Sequence, residues 1–207
     1  MKQAFDIFLT FLVVIDPAGL LPMFAALTAG GSEDFRRKMA WRGVTIAATV
    51  LFFFAFVGFG LLRVLGIGIP AFRIAGGILL LLLAIDMVFA RQSGLRSTTK
   101  REEHEARERD DISVFPLAIP LIAGPGALTS LLLTLSPAKG VGHVALVLGI
   151  LFFVLAITLV VLLSAVRILH VMGETGANVI TRLLGVLLTA LAVQFILTGV
   201  QTGLLRP

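Results

Sequence analysis

A single carboxylate, Asp16, interrupts the long apolar stretch at the amino terminus of the chain. A carboxylate is costly in the hydrocarbon core of a bilayer. The next residue, Pro17, lacks a backbone donor and disfavours helix at the residue before it. Such a break is tolerated at membrane depth only where protein or a water-filled cavity surrounds it. The pattern therefore predicts a broken transmembrane helix buried within a helical bundle.

A second break, Gly124-Pro125-Gly126, occurs about 108 residues later within another apolar stretch. We expect Asp16 and Gly124 to be N-caps, with Pro17 and Pro125 at the first helical positions. Helix N-termini attract anions such as a substrate carboxylate, and an ionised Asp16 can bind a substrate ammonium group, so the pair favours a small zwitterion. The predicted substrate-binding residues are Asp16, Pro17, Gly19, Pro22, Gly124, Pro125, Gly126, Thr129 and Ser130.

Each of these residues also has a purely structural interpretation. Asp16 can serve only as a cap, and Pro22 can merely kink its helix. The glycines can exist for close helix packing alone.

Four further polar residues in the spans are candidates for gating or ion coupling: Arg73, Arg182, Asp86 and Gln194. The structural alternatives are that the arginines extend to the membrane interface and that Asp86 pairs with Arg91. Gln194 and Thr198 share a helix face, where interhelical hydrogen bonds are the more common role.

Composition identifies an integral membrane protein, since 58% of the 207 residues are hydrophobic and the mean hydropathy is +1.05. Six apolar stretches approach the length that crosses a bilayer, at about 3–28, 43–65, 70–90, 114–136, 144–166 and 180–204. There is no cysteine, and the three histidines lack metal-ligand spacing, so we expect neither a metal nor another cofactor. The net charge of +5 comes without a basic patch interleaved with aromatic residues, which argues against nucleic-acid binding.

The chain divides into two similar halves, residues 1–90 and 114–207, joined by a polar linker over 91–113. Arg73 and the glycines after it match the segment beginning at Arg182, in nearly the register that relates the two breaks. Three spans in each half place the second half inverted relative to the first. The loops after spans one, three and five carry more than twice as many Lys and Arg residues as the opposite side. We therefore expect a cytoplasmic linker and both termini outside the bacterial inner membrane.

These motifs resemble the MarC family of integral membrane proteins, also described as neutral amino acid transporters. The resemblance covers Asp16-Pro17-x-Gly19-x-x-Pro22, Arg73-x-x-Gly76-Gly77, Gly124-Pro125-Gly126 and the segment 192–195, and thus essentially the whole chain. It implies an all-α, polytopic fold of six transmembrane helices in two inverted repeats, with the first and fourth helices broken. It also implies carriage of small neutral amino acids such as glycine and alanine.

The sequence thus predicts a secondary transporter of small neutral amino acids or similar metabolites, working by alternating access in the lipid bilayer. A passive pore and a structural membrane protein are alternatives, and a homo-oligomer is left open. An enzyme is disfavoured, because no span carries a nucleophile–base, paired-Asp or zinc-protease constellation.

Overall fold

The computed structural model describes residues 2–89, 111–135 and 140–204, and in these ranges the chain is helical without strands. Five helices are long and apolar enough to cross a membrane, and a bent pair of shorter segments makes a sixth crossing if it is counted as one span. The elements are α1 (Lys2–Ile15), α2 (Pro17–Leu27), α3 (Glu33–Val64), α4 (Ile69–Phe89), a π-helical segment (Ser113–Ile122), α5 (Pro125–Thr134), α6 (Val141–Leu163) and α7 (Ala165–Leu204). This architecture agrees with the predicted all-α polytopic fold.

The first span is broken at Asp16, as predicted. Asp16 adopts a left-handed conformation (φ 46°, ψ 70°) and is the N-cap of α2, and Pro17 occupies the first position of that helix. Backbone hydrogen bonds nevertheless continue through the break, from Asp16 N to Leu12 O (2.9 Å) and from Leu20 N to Asp16 O (3.2 Å). As a result α1 and α2 form one span of 26 residues, Lys2–Leu27.

The fourth span departs from the regular half-helix that we expected. Ser113–Ile122 forms π-helical turns, and its residues Phe115 and Ile119 have extended backbone angles. Each of these two residues precedes a proline, which disfavours the α conformation there and removes a backbone donor. After this segment the chain bends by 51° into α5. Gly124 is the N-cap and Pro125 the first helical residue, so that part of the prediction is confirmed.

Two predicted span boundaries are wrong. The second span begins at Glu33 rather than near 43, because the Ser32 hydroxyl accepts a hydrogen bond from Phe35 N and starts the helix early. The last helix begins at Ala165 rather than near 180, although Gly173 (φ 69°, ψ 170°) interrupts it. The predicted linker, 91–113, falls mostly outside the described residues.

The broken first span lies at the centre of the molecule. In its most apolar window 56% of the residues are buried, against 22–33% in the other four long helices. The third and last spans, α4 and α7, pack against each other in antiparallel orientation, because Gly77 meets Ile196 whereas Gly199 meets Ile74. The two breaks are thus held inside a shell of longer, lipid-exposed helices.

Candidate functional site at the two helix breaks

At the first break, Asp16 is fully buried and serves the end of its own helix. Its Oδ1 accepts hydrogen bonds from Gly19 N (3.0 Å) and from the Thr181 hydroxyl on α7 (3.4 Å). Its carbonyl oxygen accepts from Leu20 N. The helix N-terminus that we expected to offer free amides to a substrate carboxylate is therefore already engaged by the protein's own carboxylate.

Gly19 is required by this arrangement. A Cβ on Gly19 would overlap Asp16 Oδ2 and would lie 3.0 Å from Thr181 Oγ1. Thr181 was not among the predicted site residues. The repeat alignment drew attention to its neighbour Arg182, whereas the offset of 108 residues that relates the two prolines aligns Thr181 itself with Arg73.

The second break borders a cleft of about 230 Å³, a volume that includes the space at its open side. Within the described part of the chain no side chain caps α5, whose N-cap is Gly124. The cleft is lined by Val14, Leu83, Pro120, Leu121, Ile122, Gly124, Pro125, Gly126 and Ala127. Unlike the first break, the second therefore presents the start of a helix to an open space.

A buried hydroxyl lies one turn into α5. Ser130 is fully buried, and its Oγ has no hydrogen-bond partner among the described residues. Ser130 shares a helix face with Gly126 and Ala127, and helical side chains tilt toward the N-terminus, which here is the side of the cleft. The neighbouring Thr129 instead packs its methyl group against Gly76.

Replacing Ser130 with alanine should raise the free energy of unfolding by about 1 kcal/mol, since it removes a buried polar group that has no partner. Thermal unfolding of the purified protein in detergent measures the change. Thr158 provides a matched control, because it is also fully buried but donates to Val154 O at 2.9 Å. Thr158→Val should not stabilise the protein. A destabilised Ser130→Ala would mean that the hydroxyl has a partner after all.

The structure brings only part of the predicted site to the cleft. Gly124, Pro125 and Gly126 line it, while Asp16, Pro17, Gly19 and Pro22 do not. The first break reaches the cleft through Val14, which the sequence analysis did not single out and whose Cγ1 lies 3.6 Å from the Cβ position of Gly126. The two breaks therefore adjoin, with Val14 between the cleft and the buried carboxylate.

The gating candidates lie elsewhere. Arg73 and Asp86 are half-buried, and Arg91, the predicted partner of Asp86, is outside the described residues. Arg182 and Gln194 are exposed. Gln194 Nε2 donates to the Thr198 hydroxyl (3.2 Å), which donates to Gln194 O (2.7 Å), so the predicted interhelical bond is wrong and the pair bonds within one helix. Within the described ranges no group of three or more His, Cys, Asp or Glu side chains could hold a metal ion.

Comparison with known proteins gives a match over nearly the whole chain. Residues 1–204 match the family described as MarC family integral membrane protein. A UPF0056 membrane protein of Methanocaldococcus jannaschii is 38% identical over 192 residues, which cover 93% of each chain. The UPF0056 membrane protein YhcE of Escherichia coli is 34% identical over 95% of this chain and 91% of its own length. The corresponding values for the UPF0056 membrane protein YvbG of Bacillus subtilis are 33%, 94% and 92%. No solved structure matches.

Proposed function

Because the chain belongs to the MarC family of integral membrane proteins, we propose that it is a secondary transporter of small neutral amino acids or similar small metabolites. One observation carries the proposal: within the described ranges, an uncapped helix N-terminus and an unpartnered buried hydroxyl, Ser130, border a cleft in a membrane-spanning bundle. Polar groups buried without partners are costly, and lipid supplies none. A small polar solute in the cleft would satisfy them.

In this proposal the start of α5 binds the substrate carboxylate. The backbone amides and the positive end of the helix dipole favour an anion there, and the Ser130 hydroxyl adds a donor. Asp16 is the carboxylate for the substrate ammonium. Since Val14 separates Asp16 from the cleft, this second contact belongs to a conformation in which the first break has moved.

We further propose that the two halves are inverted repeats that rock against each other. The contacts between α4 and α7 support this. At an offset of 108 residues, Gly77 aligns with Gly185 and Val88 with Ile196. Gly77 meets Ile196, and Gly185 meets Val88, so the two halves exchange equivalent contacts, as a two-fold axis in the membrane plane would require.

The proposed location is the bacterial inner membrane, with both termini outside and the linker in the cytoplasm. The excess of Lys and Arg in the loops on the linker side supports this orientation.

Ligand binding can be tested by thermal shift of the purified protein with alanine, alaninamide and propionate. Alanine at 100 times its Kd should raise the stability by about 2.7 kcal/mol. Alaninamide lacks the carboxylate and propionate lacks the ammonium group, so both should give much smaller shifts. Ser130→Ala should weaken the response to alanine even though it stabilises the ligand-free protein. Equal shifts with all three compounds, or none with glycine or alanine, would contradict the zwitterion site.

A further inference from the structure

Two polar contacts tie the broken spans to the second span of the opposite half, one contact on each face of the molecule. On the face that carries the linker, Arg42 of α3 forms an ion pair with Asp111, with Nη1 and Oδ2 2.8 Å apart. On the face that carries the amino terminus, Gln3 Nε2 and His143 Nδ1 are 3.0 Å apart, and His143 Nε2 is 3.0 Å from Thr134 O.

The two contacts lie on opposite faces because three membrane-spanning segments separate Gln3 from Asp111. Thr134 ends α5 and His143 lies near the start of α6, so both are on the amino-terminal face. Arg42 lies in the first part of α3, and Asp111 immediately precedes the π-helical segment.

The tethered positions are equivalent in the repeat. An offset of 108 residues relates Gln3, at the start of the first broken span, to Asp111, at the start of the second. Each is held by a polar side chain from the second span of the other half, Gln3 by His143 and Asp111 by Arg42. Although the two pairs differ in chemistry, they connect the same elements at the two membrane surfaces.

The contacts also fix the ends of the segments that form the cleft. The Asp111 carboxylate accepts hydrogen bonds from the Ser113 hydroxyl and backbone N–H, which begin the π-helical segment. These two donors, followed by Arg42, hold the pKa of Asp111 below its ordinary value, so the carboxylate stays charged near neutral pH. On the other face, His143 contacts the last carbonyl of α5 and the first turn of α1 together.

We propose that Arg42–Asp111 and Gln3–His143–Thr134 are opposing latches, each closing access to the cleft from its own face of the membrane. The inference rests on the proposed function, since only an alternating-access protein needs a separate closure on each side. Opening one latch frees the outer end of one broken span from the opposite half, while the other latch keeps its face closed.

The chain has no cysteine, so a single reporter thiol is unambiguous. Val14→Cys places the thiol in the cleft, and its reaction rate with a membrane-impermeant maleimide is measured from each side of oriented vesicles. Glu33→Cys, at the exposed start of α3, identifies the linker face in a parallel sample.

In the Val14→Cys background, Arg42→Gln should accelerate labelling of the reporter thiol about two- to fivefold from the linker face alone, which is the size of effect that exposed ion pairs produce. Asp111→Asn keeps an acceptor for Ser113 while removing the charge, and should act similarly. The double variant should exceed neither single variant, since all three remove the same contact. His143→Ala should accelerate labelling from the amino-terminal face alone.

Arg37→Gln and His170→Ala are matched controls, because both side chains are exposed and neither belongs to a latch. Unchanged rates in the latch variants, or equal acceleration from both faces, would overturn the proposal. Because the assay uses no solute, this result is separate from the test of transport. If Arg42→Gln fails to fold, Asp111→Asn and His143→Ala still decide the question.

Discussion

Gly124→Ala should lower the free energy of unfolding by about 2–3 kcal/mol, at the upper end for overpacking. A Cβ at this position would overlap the carbonyl oxygen of Pro120, at a separation well below 3.0 Å. The obstacle is backbone, and its segment contains two prolines, so it cannot move aside as a flexible side chain would. The backbone angles of Gly124 (φ −75°, ψ 173°) suit any residue, so the close approach alone requires glycine.

The measurement is the midpoint of thermal unfolding in detergent, where this change corresponds to a drop of about 4–12 °C. Gly149→Ala is the matched control, since among the described residues no atom outside its own helix lies within 4 Å of a Cβ there. Alanine is the better helix former, so the control should be neutral or slightly stabilised. A Gly124→Ala protein as stable as Gly149→Ala would contradict the described geometry of the second break.

Gly19→Ala should have an effect of similar size, about 2–3 kcal/mol, for a different reason. The added methyl group would collide with the Asp16 carboxylate, which caps α2 through Gly19 N. Moving the carboxylate breaks this cap and the contact with Thr181, leaving a fully buried acid with fewer donors. Thermal unfolding against the same Gly149→Ala control measures the loss.

A double-mutant cycle identifies the cause of that loss. Asp16→Gly removes the carboxylate and suits the left-handed conformation at φ 46°. In this background Gly19→Ala should cost far less than in the wild type, giving a coupling energy of at least about 1 kcal/mol. If the two changes were additive, the close packing of Gly19 on Asp16 could not be the reason that glycine stands there.

The sequence was sufficient to predict the features that depend on local chemistry. Asp16 and Gly124 are N-caps and Pro17 and Pro125 first helical residues because cap and proline preferences operate within one turn. The count of apolar stretches predicted the spans for the same reason, since each needs only enough apolar residues to cross the bilayer.

The features that depend on packing between distant segments were not predicted. Thr181 reaches Asp16 from a helix 165 residues away, and Val14 reaches the cleft only because α1 and α5 pack together. The prolines at 116 and 120 did carry a local signal for the irregular start of the fourth span, through the residues before them. That signal was hidden by the overall hydrophobicity of the segment.

The central claim, transport by way of the two breaks, is tested most directly by alanine counterflow in proteoliposomes, with wild type and Asp16→Asn compared. Asparagine retains a side-chain oxygen for Gly19 N and tolerates the left-handed conformation, so the substitution changes the charge while keeping the cap. We expect saturable counterflow in the wild type and its loss in Asp16→Asn. Flux that rises linearly with concentration would indicate a passive pore, and flux no greater than in protein-free liposomes would contradict transport of this solute.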